Sequence, residues 1–115
     1  MPYAPVRFFQ TVPTTGETTL FTVPSTYLNL VMVEAIVKQI HIANTTSSAA
    51  TVTLSIVPVG GTASASNRIC VAKSVAANDV LDLNLSQVMN AGDFISGLQG
   101  TSSALTVTCS GVYRT

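Results

Sequence analysis

Charge is what this chain has least of. Lys, Arg, Asp and Glu together make up 9% of its 115 residues, against roughly 25% in an average soluble domain. Five basic and five acidic residues cancel to a formal net charge of zero. Free soluble proteins usually carry interspersed charge and a net charge away from zero, so this composition points to a surface that neighbours cover in service. Arg7, Lys38, Arg68, Lys73 and Arg114 are scattered along the chain, whereas a phosphate-binding face needs them clustered; nucleic acid is not expected as a partner.

Other absences close further classes. Tryptophan is missing and Phe and Tyr reach only 6%, too few for a platform on which bases or sugars stack. No run of eighteen apolar residues occurs, so no membrane-spanning helix is expected. The opening "MPYAPVRFFQ" lacks the charged-then-apolar pattern of a secretion signal, and assembly in the cytoplasm is the default expectation. Cys70 and Cys109 match no zinc spacing. The residues leave open whether they pair, and buried reduced thiols are the preferred reading.

Chemistry is equally sparse. The single histidine, His41, lies in a strand-like run and faces away from Ile40 and Ile42, as a surface or interface side chain would. Glu17, Glu34, Asp79, Asp82 and Asp93 are too spread for paired acid/base work. A calcium site from Asp79, Asp82 and Asp93 lacks the ordered acidic loop that such sites use. Gly60–Gly61 has no following Lys-Ser/Thr and is no phosphate loop. "NTT" at Asn44 and "NLS" at Asn84 match the glycosylation sequon by chance in a chain so rich in Thr and Ser. No enzyme, no cofactor and no metal are expected.

What is present is β-structure. "TVTLSIV" sets Val52, Leu54 and Ile56 against Thr51, Thr53 and Ser55. "VLDLNLS" alternates Leu81, Leu83 and Leu85 with Asp82 and Asn84. "ALTVTCSGVYR" alternates Leu105, Val107, Cys109 and Tyr113 with Thr106, Thr108 and Ser110. Period-two alternation marks strands with one buried face. "VRFFQTV", "TTLFTV", "RICVAKSV" and "DFISGLQ" read as further strands. Residues 28–44, "LNLVMVEAIVKQIHIAN", fit a helical face in part. Their β-branched residues favour one strand or two, with room for a bulge near Lys38. The total is about eight strands, as in a jelly-roll-like antiparallel β-sandwich. The fold class is all-β and single-domain: an extended N-terminal arm over residues 1–5, kept straight by Pro2 and Pro5, then a sandwich over residues 6–115.

The turns have an order of their own: "ANTT" closing one strand, "PVGG" closing the next, and "VMNAGD" before the last hairpin. In that order the chain resembles small all-β virion proteins of tailed bacteriophages over about two thirds of its length. The resemblance implies a non-enzymatic structural component of the particle, foremost a capsid decoration or cement protein stabilising the head. A neck, tail or baseplate ring component is the alternative, and a receptor- or carbohydrate-binding module a more distant one. Partners would be other copies of itself, as a trimer or ring, and the major capsid or tail proteins. The location would be the virion, assembled in the host bacterial cytoplasm. It transfers no binding residues.

The sixteen Thr and twelve Ser suit contact surfaces, because small side chains lose little rotamer entropy on burial. The expected assembly contacts are therefore the arm, with Pro2, Tyr3, Pro5 and Val6, and two polar loops. The loops contribute Asn44, Thr45, Thr46 and Ser47, and Thr101, Ser102 and Ser103.

Overall fold

The computed structural model describes residues 3–115; Pro2, named above as a contact, lies outside them. Ten strands follow one another: β1 (Tyr3–Thr11), β2 (Thr18–Thr22), β3 (Thr26–Tyr27), β4 (Leu30–Val31), β5 (Glu34–Asn44), β6 (Ala50–Val57), β7 (Arg68–Val75), β8 (Val80–Met89), β9 (Phe94–Gln99) and β10 (Leu105–Arg114). A single 3₁₀ turn, Ala65–Asn67, interrupts them. Eight strands form two antiparallel sheets, ordered β1-β10-β5-β8 and β2-β9-β6-β7, and β3-β4 is a separate small hairpin. Among those eight strands, every connection except β6–β7 crosses from one sheet to the other. That is the double Greek key of a jelly roll.

The core lies between the sheets. Ile40 and Ile42 of β5, Val52 and Leu54 of β6, Ile95 of β9 and Val107 of β10 are fully buried. One flank is closed by aromatic rings in series. Phe9 stacks on Phe21 at 5.8 Å, Phe21 on Phe8 at 5.3 Å, Phe8 meets Tyr113 at 5.1 Å, and Tyr113 meets Tyr27 at 4.8 Å. Phe8 and Phe9 are adjacent, and strict alternation would send them to opposite faces. A break in register between Arg7 and Phe9 turns both inward, which is what a β-bulge does.

The residue that spoils the alternation of β5 behaves similarly. Val37 and Gln39 pair with consecutive residues Gly111 and Ser110 of β10, so Lys38 is the bulged residue. In β6 the outer face departs from the expected open surface: Thr53 and Ser55 are buried beside Val52 and Leu54. The Thr53 hydroxyl accepts from the Ala72 N–H of β7 at 2.9 Å, and Ser55 lies under an ion pair laid across the sheet. Arg68 donates to Glu17 at 2.6 Å and to the Ser55 hydroxyl at 2.9 Å, and Ser96 donates to the other Glu17 oxygen at 2.7 Å.

Both cysteines are free thiols, Cys109 buried and Cys70 half-buried. Burial pushes the Cys109 thiol up to about 12. Burial also raises Cys70, with a backbone hydrogen bond and then Lys73 and Arg68 pulling the other way. Since the folded value of Cys109 lies above the unfolded one, its neutral form contributes stability in full below pH 9, and that contribution is lost as the pH rises from 9 to 12. At about pH 8, where a free thiol is partly ionised, Ellman's reagent should leave Cys109 untouched in the folded chain. It should titrate both thiols after denaturation. Rapid reaction of both in the native protein would show that β10 opens.

Candidate assembly surface

The residues expected to make contacts fall at two opposite ends of the sandwich. Strand β10 begins at Leu105 beside Asn44 and ends at Arg114 beside Tyr3 and Glu34. Nine residue steps separate those points, about 30 Å by strand rise, in a molecule measuring 45 × 26 × 19 Å.

At the first end, loop 45–49 and loop 100–104 come together with loops 12–17 and 76–79. Two buried amides hold them. Asn44 accepts from the Thr46 backbone N–H and hydroxyl at 2.9 and 2.7 Å, and donates to the carbonyls of Ser48 and Val75 at 2.9 and 3.1 Å. Gln99 accepts from the Ala104 and Leu105 N–H groups at 3.2 and 2.8 Å and donates to the Pro13 carbonyl. Thr45, Ser47, Thr101, Ser102 and Ser103 stand exposed, and Thr46 is half-buried. Asn44, also expected as a contact, is 2% exposed, and its side chain organises the loop from within. "ANTT" is an Asx turn.

Of the expected arm over residues 1–5, the structure describes residues 3–5. Residues 3–5 are the start of β1, with Tyr3, Ala4 and Pro5 opposite Arg114, Tyr113 and Val112. Edge position makes this compatible with Pro5, which has no N–H for a second neighbour. Tyr3 and Pro5 remain exposed, while Val6 packs on the core.

This second end carries the greasy surface. Hairpin β3-β4 is fastened there by the Tyr27–Tyr113 contact and by the Val33 N–H donating to the Arg114 carbonyl at 2.8 Å. Its two-residue turn, Leu28–Asn29, has φ of 52° and 65°, the left-handed geometry of a type I′ turn. Asn accepts that geometry readily, whereas leucine is strained in it. The turn carries Leu28 outward, 75% exposed, next to Leu30, Val33 and a 76% exposed Val31. Tyr3, Val59 and Val88 share this end, so seven of the ten exposed large apolar side chains among the described residues gather here. Val59 is positioned by Asp93, whose two oxygens accept from the Val59 and Asn90 N–H groups, both at 2.9 Å. The "PVGG" and "NAGD" turns are thus one joint.

Elsewhere the surface discourages strand-to-strand association. Edge strands β1, β2 and β7 break register at Arg7/Phe9, Thr19/Phe21 and opposite Val52/Leu54, and the fourth, β8, is irregular opposite Val37/Gln39. Bulged edges twist away from an incoming strand. Contacts are left to the ends and faces.

Asp79, Asp82 and Asp93 do not converge. Asp79 and Asp93 occupy opposite ends, and Asp82 meets His41 Nδ1 at 2.5 Å on the outer face of the β1-β10-β5-β8 sheet. Among the described residues no three of His, Cys, Asp and Glu form a metal-holding group, and no helix is long and apolar enough to cross a membrane.

No family model matches the chain, and no curated protein matches it. Among solved structures, a chain from the structure of infectious bursal disease virus, Gx strain, is similar with a TM-score of 0.49 at 11% identity. The alignment covers 97% of this chain and 30% of that one.

Sequence patterns located the polar loops but missed the apolar end. Nothing in "STYLNLVM" announces a hairpin, because its turn uses Leu-Asn in place of a glycine signal. Val59 and Val88 come to that end only through the tertiary fold.

Proposed function

We propose that the chain is a non-enzymatic structural subunit of a bacteriophage virion, a decoration or cement protein that stabilises the head. One observation carries the proposal: a charge-poor jelly roll gathers its exposed apolar side chains at one end and its Thr/Ser loops at the other. Clustered exposed apolar groups mark contact sites, and charge depletion is typical of interface cores. Jelly rolls are common in viral capsids but also occur in lectins, so the fold alone would not decide the matter. Docking through the apolar end would stabilise the assembled shell by mass action, with the polar loops turned outward or toward a neighbouring copy. A neck, tail or baseplate ring uses the same surfaces with fewer copies.

Quantitative mass spectrometry of purified particles tests this. A copy number equal to, or a simple fraction of, the major capsid protein supports decoration. A ring-sized number moves the subunit to the neck or tail, and absence from particles overturns the virion assignment. A paired variant, Leu28→Asn with Val31→Thr, addresses the docking end. Asparagine relieves the positive φ, so thermal stability should hold or rise slightly, while retention on particles should fall by roughly tenfold or more, as for a lost hot spot. Undiminished retention would place the contact elsewhere.

A further inference from the structure

Charge in this chain is rare, and most of it is consumed internally. Glu17 pairs with Arg68 and Glu34 with Arg114. Asp82 meets His41, Asp93 accepts from two backbone N–H groups, and Asp79 accepts from the Val80 N–H. All five carboxylates are therefore engaged. Among the described residues, three cations have no carboxylate partner: Arg7, Lys38 and Lys73.

Two of these three line the same groove. It is an open trough of about 410 Å³ along the outer face of the β1-β10-β5-β8 sheet, bounded by Pro5, Val6 and Arg7 of β1, Ser110 and Gly111 of β10, and Lys38 of β5. The small residues of β10 form its floor, because β10 lies between β1 and β5. The Lys38 bulge raises the far bank, with its ammonium donating to the Ser86 hydroxyl at 3.1 Å. Beside the trough runs an apolar row set by register: Pro5 opposite Val112, Val112 opposite Ile36, and Ile36 opposite Val88.

We propose that this face seats an acidic, extended polypeptide segment of a partner protein, with carboxylates on Arg7 and Lys38 and apolar side chains on the Pro5–Val112–Ile36–Val88 row. Charge complementarity selects the partner: the groove offers positive charge that no acid of this chain neutralises. The apolar row favours a peptide over a nucleic-acid backbone, which would ask for more cations and no greasy strip. A second copy of this chain is a poor occupant, since its carboxylates are already engaged. Bulged edges oppose strand addition, so the segment lies across the sheet face. Arginine supplies a fork suited to a carboxylate, and lysine a mobile point charge. The inference names the chemistry of one partner contact and rests on the chain acting as a docking subunit.

The test is an amide chemical-shift titration of the folded chain with three probes: a blocked peptide alternating Glu and Val, its Lys/Val counterpart, and a short DNA duplex. The Glu/Val peptide should shift amides of residues 5–7, 36–39 and 110–112. Raising salt from about 0.05 to 0.3 M should weaken its binding. Arg7→Gln with Lys38→Gln should weaken it by roughly tenfold, with the rest of the spectrum unchanged because both side chains are exposed. The proposal is overturned by no shift, by shifts confined to other surfaces, by equal binding of the Lys/Val peptide, or by a response to DNA alone. Particle copy number is measured independently, so the virion assignment can stand while this groove assignment falls.

Discussion

Gly111→Ala should be the most destabilising single-methyl change in the molecule. A Cβ at this position would collide with the Ile36 carbonyl oxygen and stand 3.0 Å from the Phe8 ring. The first is backbone and cannot swing aside. The crowding arises where Val37 and Gln39 flank the bulged Lys38 opposite Ser110–Gly111, in the centre of a four-stranded sheet. Relief would require β5 to separate from β10 or the aromatic series to repack. Overpacking on this scale costs about 3 kcal/mol or more, or roughly 12 °C in melting temperature for a chain of this size. Gly16→Ala is the control: nothing lies within 4 Å of its added methyl, and the change should stay within about 0.5 kcal/mol. Thermal melts of the two variants decide the point. A Gly111→Ala protein within about 1 kcal/mol of the parent would mean that the bulge relaxes and the groove floor is pliable.

Gly111 also shows where sequence patterns stop. The alternation of β10 places it in the inward row with Cys109 and Tyr113, and the strand itself is legible for that reason. That the row needs an absent side chain there depends on a carbonyl 75 residues away in sequence. The same division runs through the fold. β6, β8 and β10 follow from alternation, and Lys38 signals its bulge by being a lysine in an apolar row. The bulge at Phe8 is silent, since two adjacent aromatics fit a strand with either face buried. Burial of Ser55 is silent as well, because it needs Glu17 and Arg68 to meet across the sheet. Of the contact surface, the Thr- and Ser-rich loops announce themselves by composition. The apolar end does not, because Tyr3, Leu28, Val31, Val59 and Val88 are individually ordinary residues. Only the order of strands brings them together.

Gln99→Leu should be nearly as damaging, at the other end. The side chain is fully buried at the start of the turn between β9 and β10, and its amide closes three backbone groups: the N–H groups of Ala104 and Leu105 and the carbonyl of Pro13. Leucine fills similar volume and offers none of those bonds. Each buried orphan costs about 1–3 kcal/mol unless water reaches it, so a loss of about 3 kcal/mol or more is expected in denaturant unfolding. The location of the damage separates this change from a generic core defect. Loops 12–17 and 100–104 should lose hydrogen-exchange protection while the β3-β4 end keeps it. Asn44→Ala should loosen loop 45–49 in the same manner, since Val75, Ser48 and Thr46 each lose a hydrogen bond to its amide. If the polar loops face neighbouring copies on a particle, both variants should dock through the apolar end and fail in lateral contact. If the loops only face solvent, docking and particle stabilisation should survive at temperatures where the variants remain folded.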